Sequence, residues 1–452
     1  YYESENFIIR KLSLLNKVFP QDNYLEVNNV ISQIQFEEGI EYAEMHKKAI
    51  HTAVDNGVMI LTGGPGTGKT TIIRAIIRLA ERMGYSVALA APTGRAAKRM
   101  SEATGNQAKT IHRMLEMKYI DDEQVFSRDE NNLLDEDFFI IDETSMVDTI
   151  LMSSLLKAVK PGARIILIGD VDQLPSVGAG NVFADLISSD FFAVVRLTEI
   201  FRQASESRIV TNAHAINNGE LPVLDDKNSD FFFISRDESD IGITIADLCK
   251  KRLPKKFGDS VIEDIQIITP SHRGAAGTDI LNPLLQNIMN PPSNDKKERK
   301  FRDVVFREGD KVMQCRNNYD IEWDRSYERG AGIFNGDIGI VKEIDLRGEC
   351  MIIDFDGRIT SYGFDLLEDL EHAYAVTIHK SQGSEYPIVI IPMYNYGSKL
   401  LTRNLLYTAV TRAQRMVIMV GRRDVVQGMV ENYRAVSRYT GLKAFIKQYE
   451  NI

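Results

Sequence analysis

The run Gly63-Gly64-Pro65-Gly66-Thr67-Gly68-Lys69-Thr70-Thr71 constrains this chain more than any other stretch. It satisfies the pattern G-x-x-x-x-G-K-[ST], whose glycines let successive backbone N–H groups point at one spot. Before it, Val58-Met59-Ile60-Leu61 reads as a buried parallel strand, and residues 72–80 after it carry apolar side chains at helical spacing. A glycine turn between such a strand and such a helix also brings in the positive end of the helix dipole, so phosphate binds there. The run therefore demands a parallel α/β sheet and implies a nucleoside triphosphate. Gly64, Pro65, Gly66, Thr67, Gly68, Thr70 and Thr71 would cradle the phosphates, and Lys69 would reach the β- and γ-phosphates. The Thr70 hydroxyl would complete a Mg²⁺ shell.

Short apolar runs separated by helical stretches extend this unit. Strands are expected at 58–61, 87–90, 138–141, 164–168 and 194–197, which is the pattern of a parallel sheet. Acidic, non-periodic sequence at 117–137 interrupts it as a protruding hairpin or loop. A second α/β unit begins near residue 265 with 265–269 and resumes at 373–378, 388–391 and 416–420. Between these lie short strands at 310–316, 337–344 and 350–354, punctuated by Asn335-Gly336-Asp337, Arg347-Gly348 and Asp356-Gly357, the pattern of a small β-barrel. Pro291-Pro292 with 296–300 reads as a flexible loop. The expected domains are a helical segment at 1–50, a first α/β unit at 51–205, the start of a second at 206–302, the β insertion at 303–367 and the rest of the second unit at 368–452.

Against 54 basic residues the chain carries 64 acidic ones, a net charge of −10. Globally this disfavours a nucleic-acid partner, yet a motor can confine its cations to one channel. Arg95, Lys98 and Arg99, then 250–256 and 296–302, are the local sources, although each run alone reads as a solvated face. Cys249, Cys315 and Cys350 lack metal-ligand spacing and are expected as inert thiols. No apolar run reaches the length of a membrane span, so a soluble, cytoplasmic protein without a membrane partner is expected.

The chemistry of hydrolysis has candidates at strand ends, where α/β sheets bind ligands. Asp142 and Glu143 follow the strand at 138–141. Asp142 is suited to hold Mg²⁺ and Glu143 to polarise the attacking water, the alternative being a carboxylate pair that caps the next helix. Gln173, beyond the strand at 164–168, can bond a water and a γ-phosphate oxygen, or simply its own loop. Arg202 and Arg412 are candidate arginine fingers for the charge that develops on the transferred phosphoryl group; if neither served, each would be a surface ion pair.

The order of segments resembles a known family. After the phosphate loop come Ala91-Pro92-Thr93-Gly94-Arg95-Ala96-Ala97, Thr110-Ile111-His112-Arg113, Asp142-Glu143, Gly169-Asp170-Val171-Asp172-Gln173-Leu174-Pro175 and Phe201-Arg202-Gln203. Thr377-Ile378-His379-Lys380-Ser381-Gln382-Gly383-Ser384-Glu385 and Tyr407-Thr408-Ala409-Val410-Thr411-Arg412-Ala413 close the series. This is similar to superfamily 1 DNA helicases of the RecD branch, most of all the stand-alone bacterial RecD-like proteins, over residues 43–422. The resemblance implies two RecA-like parallel-sheet motor domains, a strand-separating β-hairpin inserted in the first at 117–137 and an SH3-like β-barrel inserted in the second. It implies an ATP-hydrolysing 5′→3′ motor on single-stranded DNA that unwinds duplex, in repair or recombination, with ATP and Mg²⁺.

By the same resemblance, Pro92, Thr93, Gly94 and His112 line the DNA path on the first motor domain, and Thr269, His272, Thr377, His379, Ser381 and Gln382 on the second. Gln382 and Glu385 fall in the motif that links DNA to the ATP site. His46 stands where family members commonly have a glutamine that reads adenine. Partners are single-stranded DNA and single/double-strand junctions, with single-strand-binding or recombination proteins beyond them, for a monomeric motor. Stand-alone members usually carry a longer N-terminal extension with helix-hairpin-helix units, and a chain that opens on Tyr1 is expected to miss an N-terminal portion. Two alternatives are a motor subunit of a larger recombination or conjugation assembly and a DNA-binding ATP switch that remodels protein partners.

Overall fold

The computed structural model describes every residue except 121–122, 227, 327, 398, 434–437 and 450–452; the side chains of 24, 119, 120, 123, 124, 202 and 203 also lie outside the described residues. Two compact units divide at Glu206 and Ser207.

The first unit is built on six strands: β1 (Val58–Gly63), β2 (Val87–Ala91), β3 (Ala108–Thr110), β6 (Phe138–Ile141), β7 (Arg164–Gly169) and β8 (Ala193–Leu197), with a hairpin of β4 (Met117–Ile120) and β5 (Glu123–Phe126) between β3 and β6. The order β3-β2-β6-β7-β1-β8 is parallel throughout. Alternate residues of β1 feed opposite cores, as strand geometry requires. Val58 and Ile60 face a cluster with Ile8, Leu12 and Leu15, whereas Met59 and Leu61 face one with Ala49, Ile50, Ile72 and Ile76. The first cluster is covered by α1 (Tyr2–Val18) and the second by α3 (Glu44–Asp55) and α4 (Lys69–Arg82), while α2 (Tyr24–Glu38) ends on Gly39 in the left-handed region. Continuous apolar strands mark such doubly covered sheets, which is why the sequence showed them clearly.

The C-terminal helix Leu442–Tyr449 belongs to this first unit, where it differs from the expected run of a second domain to residue 452. Its Leu442, Phe445 and Ile446 enter the α1 core, and Gly441 N and Thr440 Oγ1 donate to the Glu5 carboxylate at 3.0 and 2.8 Å. Eight residues of amphipathic helix say that an apolar face is buried, not which core buries it.

The second unit carries a five-stranded parallel sheet in the order Ala375–Thr377, Ile265–Thr269, Tyr386–Met393, Ala413–Gly421, Phe231–Ser235. Its insertion is a seven-stranded antiparallel sheet: Glu328–Ile333, Asn318–Arg325, Arg358–Gly363, Cys350–Phe355, Ile338–Asp345, Lys311–Gln314 and Leu370–His372. Residues 296–300 are not a loop throughout, because Glu298–Phe301 pairs with Val304–Arg307 in a hairpin turned by Arg302 at φ 54°. The insertion is rooted in Asp310, wholly buried. Its carboxylate accepts from Gln286 Nε2 (2.7 Å), Asn290 Nδ2 (2.7 Å), Arg307 N (2.7 Å) and Tyr374 OH (2.9 Å), and lies 3.1 Å from His372 Nε2. Burial alone would raise this carboxyl, but the hydrogen bonds and charge around it, His372 first, hold it below its ordinary value.

Candidate nucleotide site and strand-end turns

The phosphate loop runs from the end of β1 to the first turn of α4, and its shape follows from its glycines. Gly66 and Gly68 hold φ 73° and 85°, a region in which a Cβ is strained. At Gly68 a Cβ would also lie 2.6 Å from His46 Nε2 and 2.8 Å from the Phe201 ring. Thr67 Oγ1 donates to Gly64 O at 2.9 Å, and Lys69 Nζ donates to Gly63 O at 2.6 Å and Gly64 O at 3.0 Å, so the ammonium is folded over the loop. Thr70 and Thr71 are exposed on the first turn of α4.

His46 is buried beneath the loop, its Nε2 3.4 Å from Thr67 O and its ring 4.7 Å from that of Phe201. Burial is the main cause that lowers its pKa, so the ring is held neutral at physiological pH. Phe201 N in turn donates to Gly66 O at 3.3 Å. Arg202 opens the short helix Arg202–Ser205, and its side chain lies outside the described residues.

Asp142 and Glu143 leave the end of β6 two strands from the loop, across β7. Both are buried. Glu143 sits at φ 52°, a costly conformation for a side chain with a Cβ, and is kept there by Met146 N donating to its carbonyl at 3.0 Å and by its own N–H bonding Asp142 Oδ1 at 2.9 Å. Burial first, then the Glu143 charge, raises the Asp142 pKa against the pull of Arg99. The Arg99 guanidinium lies 2.6 Å from Glu143 Oε1 and 3.9 Å from Asp142 Oδ2.

Past the end of β7, Gln173 Nε2 donates to Asp170 Oδ2 at 3.2 Å and its N–H to Asp170 O at 3.3 Å. The loop beyond is clamped by Arg438, which reaches it from the C-terminal segment. Its Nη1 donates to Gly178 O (2.6 Å) and Gly180 O (2.8 Å), and its Nη2 to Ser176 O (2.5 Å). Sequence reasoning missed Arg438, since nothing local connects residue 438 to residues 176–180.

The turns assigned to DNA by resemblance sort into two kinds. Thr93 caps α5 (Gly94–Thr104), its Oγ1 accepting from Ala96 N at 3.2 Å, with Pro92 and Gly94 half-exposed beside it. His112 lies 6.0 Å ring to ring from Phe126 of the hairpin. In the second unit His379 is exposed, and His272 Nδ1 lies 2.9 Å from Thr278 Oγ1. Thr269, Thr377, Ser381 and Gln382 are buried; Thr269 Oγ1 donates to Ala276 O (2.8 Å), Ser381 Oγ to Ile378 O (2.8 Å), and Thr377 Oγ1 accepts from Lys380 N (3.3 Å).

Arg412 is the reverse of a surface ion pair. It is 1% exposed, and Nε donates to Thr408 O at 3.1 Å, Nη1 to Ser384 O at 3.2 Å and Nη2 to Thr411 Oγ1 at 3.3 Å. Glu385 is exposed and accepts from Gln414 Nε2 at 3.3 Å. The three cysteines are free; burial pushes the Cys249 and Cys315 thiols up to about 12. No helix among the described residues is long and apolar enough to cross a membrane.

A strand-loop-helix phosphate cradle, acidic residues at a strand end of the same sheet and a second parallel sheet with a β insertion define a phosphate-loop α/β fold in two units. Comparison with known proteins agrees. Residues 46–179 match an AAA domain, residues 281–355 the SH3 domain of ATP-dependent RecD-like DNA helicases, and residues 372–420 the UvrD-like helicase C-terminal domain. The ATP-dependent RecD2 DNA helicase of Deinococcus radiodurans is 37% identical over 80% of this chain, which spans 47% of that relative. The RecBCD enzyme subunit RecD of Mycolicibacterium smegmatis is 32% identical over 88% of this chain and 74% of the relative. The chain thus belongs to the RecD family of helicases. In fold it matches a Bacteroides Pif1 helicase solved with ADP-AlF3 and single-stranded DNA, at TM-score 0.50 and 20% identity, over 91% of this chain and 98% of that one.

Proposed function

We propose that this chain is the motor of an ATP-driven 5′→3′ DNA helicase that moves on single-stranded DNA and opens duplex during repair or recombination. One observation carries the reading: Lys69, Asp142, Glu143 and Gln173 stand at neighbouring strand ends of one sheet, in the order and setting of a family that includes an ATP-dependent RecD2 DNA helicase.

In this reading the backbone N–H groups of residues 64 and 66–71 hold the phosphates of ATP and Lys69 turns from Gly63 O and Gly64 O to the β- and γ-oxygens. Thr70 and Asp142 would hold Mg²⁺. Their hard oxygen donors fit it, and the raised Asp142 pKa marks a buried carboxylate that a cation would stabilise. When bound, the ion supplies neutralisation of the phosphate charge. Glu143 orients the water and takes its proton; Gln173 reports the γ-phosphate to its loop. Arg202 and Arg412 supply positive charge in the transition state, and His46 stands beneath the loop at the nucleotide-binding position, without the side-chain amide of the glutamine it replaces.

Pro92, Thr93, Gly94, His112, His272 and His379 touch the strand directly. The buried Thr269, Thr377, Ser381 and Gln382 shape the turns whose backbone N–H groups meet phosphates. The β4–β5 hairpin, whose residues 121–122 lie outside the described residues, separates the duplex. The enzyme works as a cytoplasmic monomer, with single-strand-binding or recombination proteins as further partners.

Strand displacement on 5′-tailed and 3′-tailed duplexes tests this. Unwinding of the 5′-tailed substrate alone is expected. DNA-stimulated hydrolysis with neither duplex opened would instead make the chain a motor subunit or remodelling switch, a role that the similarity to RecBCD subunits allows.

A further inference from the structure

The hydrolytic carboxylate is paired with a cation from the helix that begins at a proposed DNA contact. Arg99 lies on α5, whose first residues are Thr93 and Gly94, and its guanidinium is 2.6 Å from Glu143 Oε1. Arg99 stands five positions after Gly94, about 7.5 Å along the helix axis. The Glu143 side chain is 7% exposed and that of Arg99 31%, so one partner is fixed in the interior and the other reaches solvent.

A carboxylate oxygen that accepts a charge-assisted hydrogen bond has its lone pair directed at the guanidinium instead of at a water. Glu143 has little room to turn away, because its side chain is only 7% exposed. Arg99 has more. α5 meets the sheet through Ala96 and Ala97, which with Ala91 form a small cluster apart from the main cores, and through Met100, which enters the core beneath α4. Short, flat side chains resist sliding less than interlocked large ones. Lys98 is bonded along the helix to Glu102 at 3.8 Å, whereas Arg99 is directed inward to the acidic pair.

We propose that Arg99 is a positioning residue that restrains Glu143, and that a single-stranded DNA phosphate at the first turn of α5 shifts the helix and releases it. ATP hydrolysis is then slow without DNA because the base is engaged, and fast with DNA because it is freed. The inference rests on the helicase reading above, specifically on DNA contact at Thr93 and Gly94. It makes DNA stimulation a property of the first unit's own residues.

The test is steady-state ATP hydrolysis with and without an unstructured oligodeoxythymidine strand, for the wild type, Arg99→Ala and Arg99→Lys, with thermal melting of each. Arg99→Ala is expected to raise the DNA-free rate by roughly tenfold, the scale of one partly exposed charge-assisted hydrogen bond, and to shrink the stimulation ratio by the same factor. Arg99→Lys, which keeps the charge, is expected to stay near the wild-type ratio. An unchanged DNA-free rate in a folded Arg99→Ala protein overturns the proposal. So does a rate lowered equally with and without DNA, the mark of a merely structural pair. If Arg99→Ala does not fold, Arg99→Lys decides alone through titration with increasing salt: an unmoved DNA-free rate counts against the restraint, a rising one supports it. A wild type whose hydrolysis ignores DNA would instead remove the helicase reading itself.

Discussion

The two parallel sheets end their strands in opposite ways. In the first unit the strand ends meet a loop with glycines at φ 73° and 85° and a pair of carboxylates in which Asp142 carries a raised pKa. In the second the corresponding turns are tied inward: the Thr269 and Ser381 hydroxyls donate to carbonyls, and Arg412 donates to Thr408 O, Ser384 O and Thr411 Oγ1. On the proposed reading, one sheet edge holds groups that turn to a charged ligand, Lys69 from its own loop carbonyls among them, at the cost of strain and like charge. The other spends its polar groups on holding turns rigid. Catalytic groups and a rigid platform are different tasks, and the same sheet architecture serves both through its loops.

Arg412 bears most on this contrast between the sheets. If it acts on the transition state as well as on its own turn, Arg412→Ala lowers DNA-stimulated hydrolysis by roughly 10³. The same variant leaves Thr408 O and Ser384 O without these donors, so melting should show a loss of stability. Arg412→Lys, a point charge without the fork, should recover most of the stability and little of the rate. Full rate in either variant would make Arg412 a structural clamp only, and the contrast between the sheets would be complete.

A smaller effect lies at the root of the β insertion. Asp310 has a lowered pKa in the folded state, so its contribution is present above its unfolded value of about 3.9 and is lost as pH falls through the lower folded value. Asp310→Asn should cost about 1–3 kcal/mol at neutral pH and flatten the acid limb of the stability profile of the second unit. An unaltered acid limb would show that another group carries it.

Much of this was legible in the sequence because the first sheet is buried on both faces. Apolar runs such as 138–141 and 164–168 admit few other readings, and the glycines of 63–68 fix the turn between β1 and α4. What escaped has physical causes. The edge strands Ala108–Thr110 and Phe231–Ser235 are short or ambiguous in pattern, and edges need less apolar sequence. Trp323 and Tyr362 lie in insertion strands whose alternation is diluted by charged residues, so only three of that sheet's strands were read. Arg99 reads in the sequence as one cation of a basic cluster, and its engagement with Glu143 depends on β2 and β6 being neighbours. Arg438 clamps a loop some 260 residues away, and no pattern of spacing reports that.

If Glu143 is the base of an ATP-hydrolysing motor, Glu143→Gln separates binding from chemistry when nucleotide affinity and DNA-stimulated turnover are measured in the same preparation. Affinity within a few-fold of wild type and turnover reduced by ~10²–10⁴ are expected. Turnover retained at the wild-type rate, with the protein folded and nucleotide bound, would contradict that role.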